Sequence, residues 1–138
     1  VDFFHGTYMT ALAENEILTA ILITPPAAGT GYAYQKLKRK TGDWATAGAA
    51  VLLRMSAGVV TQAAIGLTNV APTALRARAA EAALVGKPVT DATLDAVGKL
   101  VRAQCAPAED LRGDIEYKTA MAGEMTQRAI RAAAARCA

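Results

Sequence analysis

The chain has 138 residues, enough for one core of modest extent, and its 15 basic and 12 acidic side chains leave a net charge of +3. The basic residues are scattered, which argues against a nucleic-acid binder, and no stretch approaches the roughly 20 apolar residues of a membrane-spanning helix. No basic start followed by an apolar run marks an export signal. Apolar residues make up 53% of the chain, much of it alanine, so closely packed helices are expected.

The opening Val1-Asp2-Phe3-Phe4 lacks an initiating Met and reads as the middle of a longer chain. Ile17 to Thr24 (ILTAILIT) is an apolar, β-branched run stopped by Pro25-Pro26, which predicts a strand. Ala27 to Thr30 is a small-residue connector. Gly31 to Arg39 alternates, with Tyr32, Tyr34, Lys36 and Lys38 on one face and Ala33, Gln35 and Leu37 on the other, again a strand. Ala49 to Met55 and Val59 to Leu67 flank Ser56-Ala57-Gly58, where Gly58 supplies the positive φ that a hairpin loop needs.

Helical spacing takes over after that. Thr73 to Val85 carries Leu75, Ala79, Ala82 and Ala83 on one face and stops at Gly86-Lys87-Pro88. Thr90 is a good N-cap, with Asp91 near the positive helix end, and Leu94, Val97, Val101 and Cys105 recur until Pro107. Asp114 to about Arg136 is the longest predicted helix, with Glu124 and Arg128 as a supporting pair. Sheet first and helices after is an α+β signature. The expected fold is a three-stranded antiparallel sheet packed with three helices, preceded by the Ile17–Thr24 strand.

Chemistry-bearing residues are sparse. His5 is the only histidine and has no triad or zinc partners nearby in sequence. Cys105 and Cys137 lack metal-ligand spacing and read as reduced thiols of a cytoplasmic protein. Gly29-Thr30-Gly31 precedes a strand rather than a helix, so it reads as a connector and not a phosphate loop. Lys36, Lys38, Arg39 and Lys40 form the densest basic run, read as a solvated strand end or an interface for an acidic partner surface, with nucleic-acid contact as the sharper alternative. Asp110, Asp114 and Glu116 cluster where the last helix begins, and carboxylates there complement the helix dipole. Met121 and Met125 read as core. On these grounds the chain is an α+β domain without a self-contained active site.

Several segments together carry a family resemblance. Asp2-Phe3-Phe4-His5-Gly6-Thr7-Tyr8 followed by Asn15-Glu16-Ile17-Leu18 is similar to the stretch that closes the FAD-binding domain of the molybdenum hydroxylases. Tyr34-Gln35-Lys36-Leu37-Lys38-Arg39-Lys40-Thr41-Gly42-Asp43-Trp44-Ala45 resembles a motif of their flavoprotein (medium) subunit, in particular its carbon monoxide dehydrogenase branch. Val70 to Ala77 with Glu81 and Gly86 resembles the first helix of that subunit's C-terminal domain. Asp114-Ile115-Glu116-Tyr117-Lys118 resembles the opening of its last helix, with Lys118 where Arg is usual.

The resemblance implies residues 1–26 as the end of a FAD-binding domain and 27–138 as the flavoprotein C-terminal domain. It implies a hetero-oligomer in which a large subunit carries the molybdenum cofactor and a small subunit carries iron–sulfur clusters. FAD in the medium subunit passes electrons to an external acceptor. The complex would be cytoplasmic, with association to the inner face of the membrane left open. In the family, Leu18 matches a position that packs on the isoalloxazine ring, and Lys36 matches one near the ring's polar rim. An ungapped match to the xanthine-oxidising branch places Gln35 there instead. The pyrophosphate loops lie in the family's preceding domains, so the expected contribution is an edge of the flavin site. A docking module that assembles subunits without touching flavin is the alternative.

Overall fold

The computed structural model describes residues 3–137, so Asp2 of the first resembling motif lies outside the described residues. Among them are a two-stranded hairpin, a four-stranded sheet and three helices. The hairpin pairs β1 (Phe4–Gly6) with β2 (Met9–Thr10) around Tyr8, which takes φ +59°. The sheet is an antiparallel meander of β3 (Gly31–Leu37), β4 (Ala47–Ser56), β5 (Val59–Thr68) and β6 (Leu75–Arg76). The helices are α1 (Arg78–Leu84), α2 (Asp91–Gln104) and α3 (Ile115–Ala134).

Alternation decides which face of the sheet is covered. Ala33 on β3, Ala47, Ala49, Val51 and Leu53 on β4, and Ile65 and Leu67 on β5 are all buried against the helices. Each Val, Leu or Ile so buried contributes about 1.5–3 kcal/mol of transfer free energy. A bulge corrects the register at the far end of the β4–β5 hairpin. Arg54 faces Gln62 while Met55 faces Val60, leaving Thr61 unopposed, with its hydroxyl donating to the Arg54 carbonyl at 3.1 Å. The extra residue lets Val60 and Ile65 both point inward despite their odd spacing. Ala57 and Gly58, at φ +48° and +79°, close the hairpin.

The helix α3 lies across β3 and β4, α1 lies against β5, and α2 packs on both helices. Small residues set the distances. A Cβ on Gly31 would run into the Ala133 carbonyl, so only glycine lets β3 reach the end of α3. Where α2 crosses α3, a Cβ on Gly123 would sit 3.2 Å from the Gly98 carbonyl. The caps are those the sequence predicts. Thr90 accepts from the Thr93 amide at 3.3 Å, and Asp114 accepts from the Tyr117 amide at 2.7 Å.

The sequence expectations need three corrections. The sheet has four strands, because Leu75–Arg76, expected as the start of a helix from Thr73, pairs with Leu67 and Gly66 and postpones the helix to Arg78. The short β1–β2 hairpin was not expected, its strands being too brief to show alternation. Ile17 to Thr24 has no regular structure. It finds no ladder partner among the described residues, and its apolar side chains stand in solvent, Leu22 being 95% exposed.

Candidate functional site

Four connections converge at one end of the sheet around an open cleft of about 950 Å³. Its lining includes Tyr34 and Lys36 from β3, Trp44 from the β3–β4 loop, Asn69 after β5, Asp110 from the α2–α3 loop and Lys118 from α3. The β1–β2 hairpin adds Phe4 and Tyr8.

Specific bonds hold these loops in place. Lys40 to Asp43 form a turn closed by the Asp43 amide on the Lys40 carbonyl at 3.2 Å, with Gly42 at φ +79°. Asn69 adopts φ +61°, which asparagine tolerates, and its amide donates to the Ala45 carbonyl at 2.7 Å. The Ala106 amide donates to the Val70 carbonyl at 2.8 Å, tying the α2–α3 loop to the same corner.

Across this corner runs a chain of alternating charges. Arg39 lies 3.6 Å from Asp43, Asp43 lies 3.1 Å from Arg112, Arg112 lies 3.7 Å from Asp110, and Asp110 lies 2.8 Å from Lys118. Lys118 is 1% exposed, and its ammonium also donates to the Ala108 carbonyl at 2.7 Å. Hydrogen bonding by Arg112 is the main reason the Asp43 carboxyl is held below its ordinary range, and Lys118 does the same for Asp110. Arg112 also stacks on Trp44, its guanidinium 5.5 Å from the ring centroid. Such contacts are worth about 0.5–1 kcal/mol at exposed sites.

Of the residues singled out by the sequence, Lys36 is exposed and lines the cleft, whereas Gln35 is half-buried on the opposite, helix-facing side of β3. Leu18 is half exposed in the irregular leading segment and does not line the cleft, so the two candidate cofactor contacts are not brought together. His5 is exposed on β1. Gly29-Thr30-Gly31 is a turn running into β3, as a connector should be. Asp114 is the cap of α3, but Asp110 is the partner of Lys118 instead. Burial pushes the Cys105 thiol up, and its Sγ lies 3.2 Å from the Val101 carbonyl. Sequence reasoning missed Arg112 and Asn69, which stand outside any motif. Trp44 was visible only as part of the basic-run motif.

The pattern of the CO dehydrogenase flavoprotein C-terminal domain family matches residues 32–133, most of the chain. The chain belongs to this family. Its relatives include medium chains of carbon monoxide dehydrogenases. It is 57% identical over 99% of its length to the carbon monoxide dehydrogenase medium chain of Hydrogenophaga pseudoflava, covering 47% of that protein. It is 53% identical over 98% of its length to the carbon monoxide dehydrogenase medium chain of Afipia carboxidovorans, again covering 47%. A solved carbon monoxide dehydrogenase from Hydrogenophaga pseudoflava superposes with a TM-score of 0.96 at 63% identity, over 99% of this chain and 48% of the solved one. The chain thus spans about half the length of the relatives it matches.

Proposed function

We propose that the chain is the C-terminal part of the flavoprotein subunit of a molybdenum hydroxylase of the carbon monoxide dehydrogenase type, and that its cleft forms one edge of the FAD site. The observation that carries this reading is Lys36, a cation on the open face of β3 that lines the cleft with Tyr34 and Trp44. When bound, FAD supplies the redox chemistry, taking electrons from iron–sulfur clusters and delivering them to an external acceptor.

The residues suit a ring edge rather than a whole dinucleotide. The N-termini of α2 and α3 are already capped by Thr90 and Asp114, and Asp91 and Glu116 in their first turns oppose an incoming phosphate. Flat aromatic side chains beside a lysine suit a planar polar group instead. Lys36 would face the ring's polar rim, and Leu18 would pack on the ring from the leading segment. A cation at the rim favours added negative charge there. The partners are a molybdenum-containing large subunit and an iron–sulfur small subunit in a hetero-oligomer. Residues 1–26 are read as the end of a FAD-binding domain and 27–138 as the C-terminal domain.

A specific observation also favours a docking contribution. Ile17, Ile21, Leu22 and Ile23 are exposed in the leading segment, as are Tyr32 and Leu52 on the uncovered face of the sheet.

The test is the FAD midpoint potential of the flavin-loaded protein that carries this chain. Lys36→Ala should lower the potential more than Lys38→Ala does, because Lys38 lies beyond the end of β3 and does not line the cleft. Equal potentials would leave Lys36 a solvated strand residue. An effect at Gln35 alone would move the contact by one residue, to the other face of the strand.

A further inference from the structure

We propose that Arg112 is a positioning residue for Trp44, holding the indole as a fixed wall of the cleft. Trp44 is 70% exposed, so burial does not choose its rotamer. Its backbone is well held, because its amide donates to Asp43 Oδ1 at 2.8 Å and the Ala45 carbonyl accepts from Asn69. The side-chain torsions remain, and the described contact that restrains them is the Arg112 guanidinium 5.5 Å over the ring.

Arg112 is itself anchored from both sides. Its side chain is 23% exposed, with Nη2 3.1 Å from Asp43 Oδ1 and Nη1 3.7 Å from Asp110 Oδ2. Its own amide donates to Asp110 Oδ1 at 2.8 Å, and Lys118 holds the same carboxylate from below. Asp43 therefore binds the Trp44 backbone and the cation that stacks on its ring.

Arg112 Nε is buried without a hydrogen-bond partner, and Asp43 Oδ2, also without one, has Arg39 Nε at 3.6 Å as an ion-pair partner; half-satisfied polar groups of this kind cost stability. Such local costs concentrate where the placement of a group matters. Arginine also suits the task better than lysine would, since its planar cation can stack on an aromatic face while still bonding a carboxylate.

Trp44 is the one tryptophan of the chain, so intrinsic indole fluorescence reports it alone. The experiment compares anisotropy and acrylamide quenching in the whole protein that carries this chain, any tryptophan outside the chain being replaced by phenylalanine, and in its Arg112→Met, Arg112→Lys and Asp43→Asn variants. A lost exposed cation–π contact should reduce the ratio of stacked to free indole roughly two- to fivefold. Arg112→Met should therefore quench more readily and show lower anisotropy, and Arg112→Lys should behave more like Arg112→Met than like the parent. Unchanged quenching and anisotropy in a folded Arg112→Met chain would overturn the proposal. If that variant does not fold, Asp43→Asn, which removes the anchor and keeps the guanidinium, decides by the same readings.

The importance of this wall for flavin rests on the function proposed above, and a second measurement separates the two. In the FAD-loaded protein carrying this chain, a mobile Trp44 together with an altered midpoint potential in Arg112→Met supports both readings. A mobile Trp44 with an unaltered potential supports the positioning role and counts against the flavin edge. A Trp44 that stays fixed overturns the positioning role, whatever the potential does.

Discussion

Glu81 on α1 accepts the Ile65 backbone amide of β5 at 2.7 Å, through the same carboxylate oxygen that takes Arg76 Nε at 2.8 Å. Because β6 pairs with β5 only at Gly66 and Leu67, the next inward amide lacks a strand partner, and a buried side chain takes that place. Leaving a buried donor unpaired costs about 1–3 kcal/mol. Glu81→Ala should therefore destabilise the chain by about 2–3 kcal/mol in denaturant titration. Glu81→Gln, which can still accept the amide, should lose about half as much. Equal losses would mean that the Arg76 pair, and not the amide, is what matters.

Two glycines offer a contrast between backbone and side-chain obstacles. A Cβ at Gly31 meets first the Ala133 carbonyl, which the last turn of α3 holds in place, and then the Sγ and amide of Cys137. Gly31→Ala should cost about 1–3 kcal/mol or more. At Gly98 the nearest atom, 2.6 Å away, is the end of the flexible Gln127 side chain. Gly98→Ala should be near neutral, since up to about 1 kcal/mol of helix propensity offsets moving Gln127. Thermal melts of both variants check the ordering.

Acid should loosen the cleft before the core. Asp43 and Asp110 are held below the ordinary value of 3.8 in the fold, chiefly by Arg112 and Lys118. Folding therefore lowers their proton affinity, and their contribution is fully present above the unfolded value. It is lost as pH falls through the lower folded values, so the window opens below about pH 4. The difference in melting temperature between the parent chain and Asp110→Asn should be constant above about pH 5 and shrink as pH falls toward 2.5. A difference that grows on acidification would contradict the assignment.

The 138-residue chain by itself should not retain FAD. Tight binding of a dinucleotide depends on anchoring its pyrophosphate, and the N-termini of α2 and α3 are occupied by their own hydroxyl and acidic caps, while α1 is only seven residues long. Gel filtration with added FAD, read by flavin absorbance, checks this. Stoichiometric co-elution would show a phosphate site outside the cleft edge proposed here.

Local patterning made most of the scaffold readable in advance. Alternation placed β3 to within two residues, Gly58 located the hairpin turn, and Thr90 and Asp114 marked the starts of α2 and α3. The failures have a common cause. Leu75–Arg76 is a strand only because Gly66 and Leu67 lie beside it, and Ile17–Thr24 is irregular because no strand among the described residues lies beside it. Pairing is a tertiary property that a one-dimensional pattern does not carry. The cleft behaved likewise. Lys36 stood within a motif, but Arg112 is one of many arginines until folding sets it against Trp44. Asp110 resembled a helix cap until Lys118 claimed it.

The Asp43–Arg112 bridge spans 69 positions of sequence, and that separation has a kinetic meaning. The β4–β5 hairpin closes over a two-residue turn and can form early, whereas the bridge must wait until α3 has docked and drawn its leading loop across the sheet. The cleft is thus among the last features of the chain to assemble. Substitutions that delay α3 docking should therefore slow the ordering of the cleft more than the closing of the hairpin.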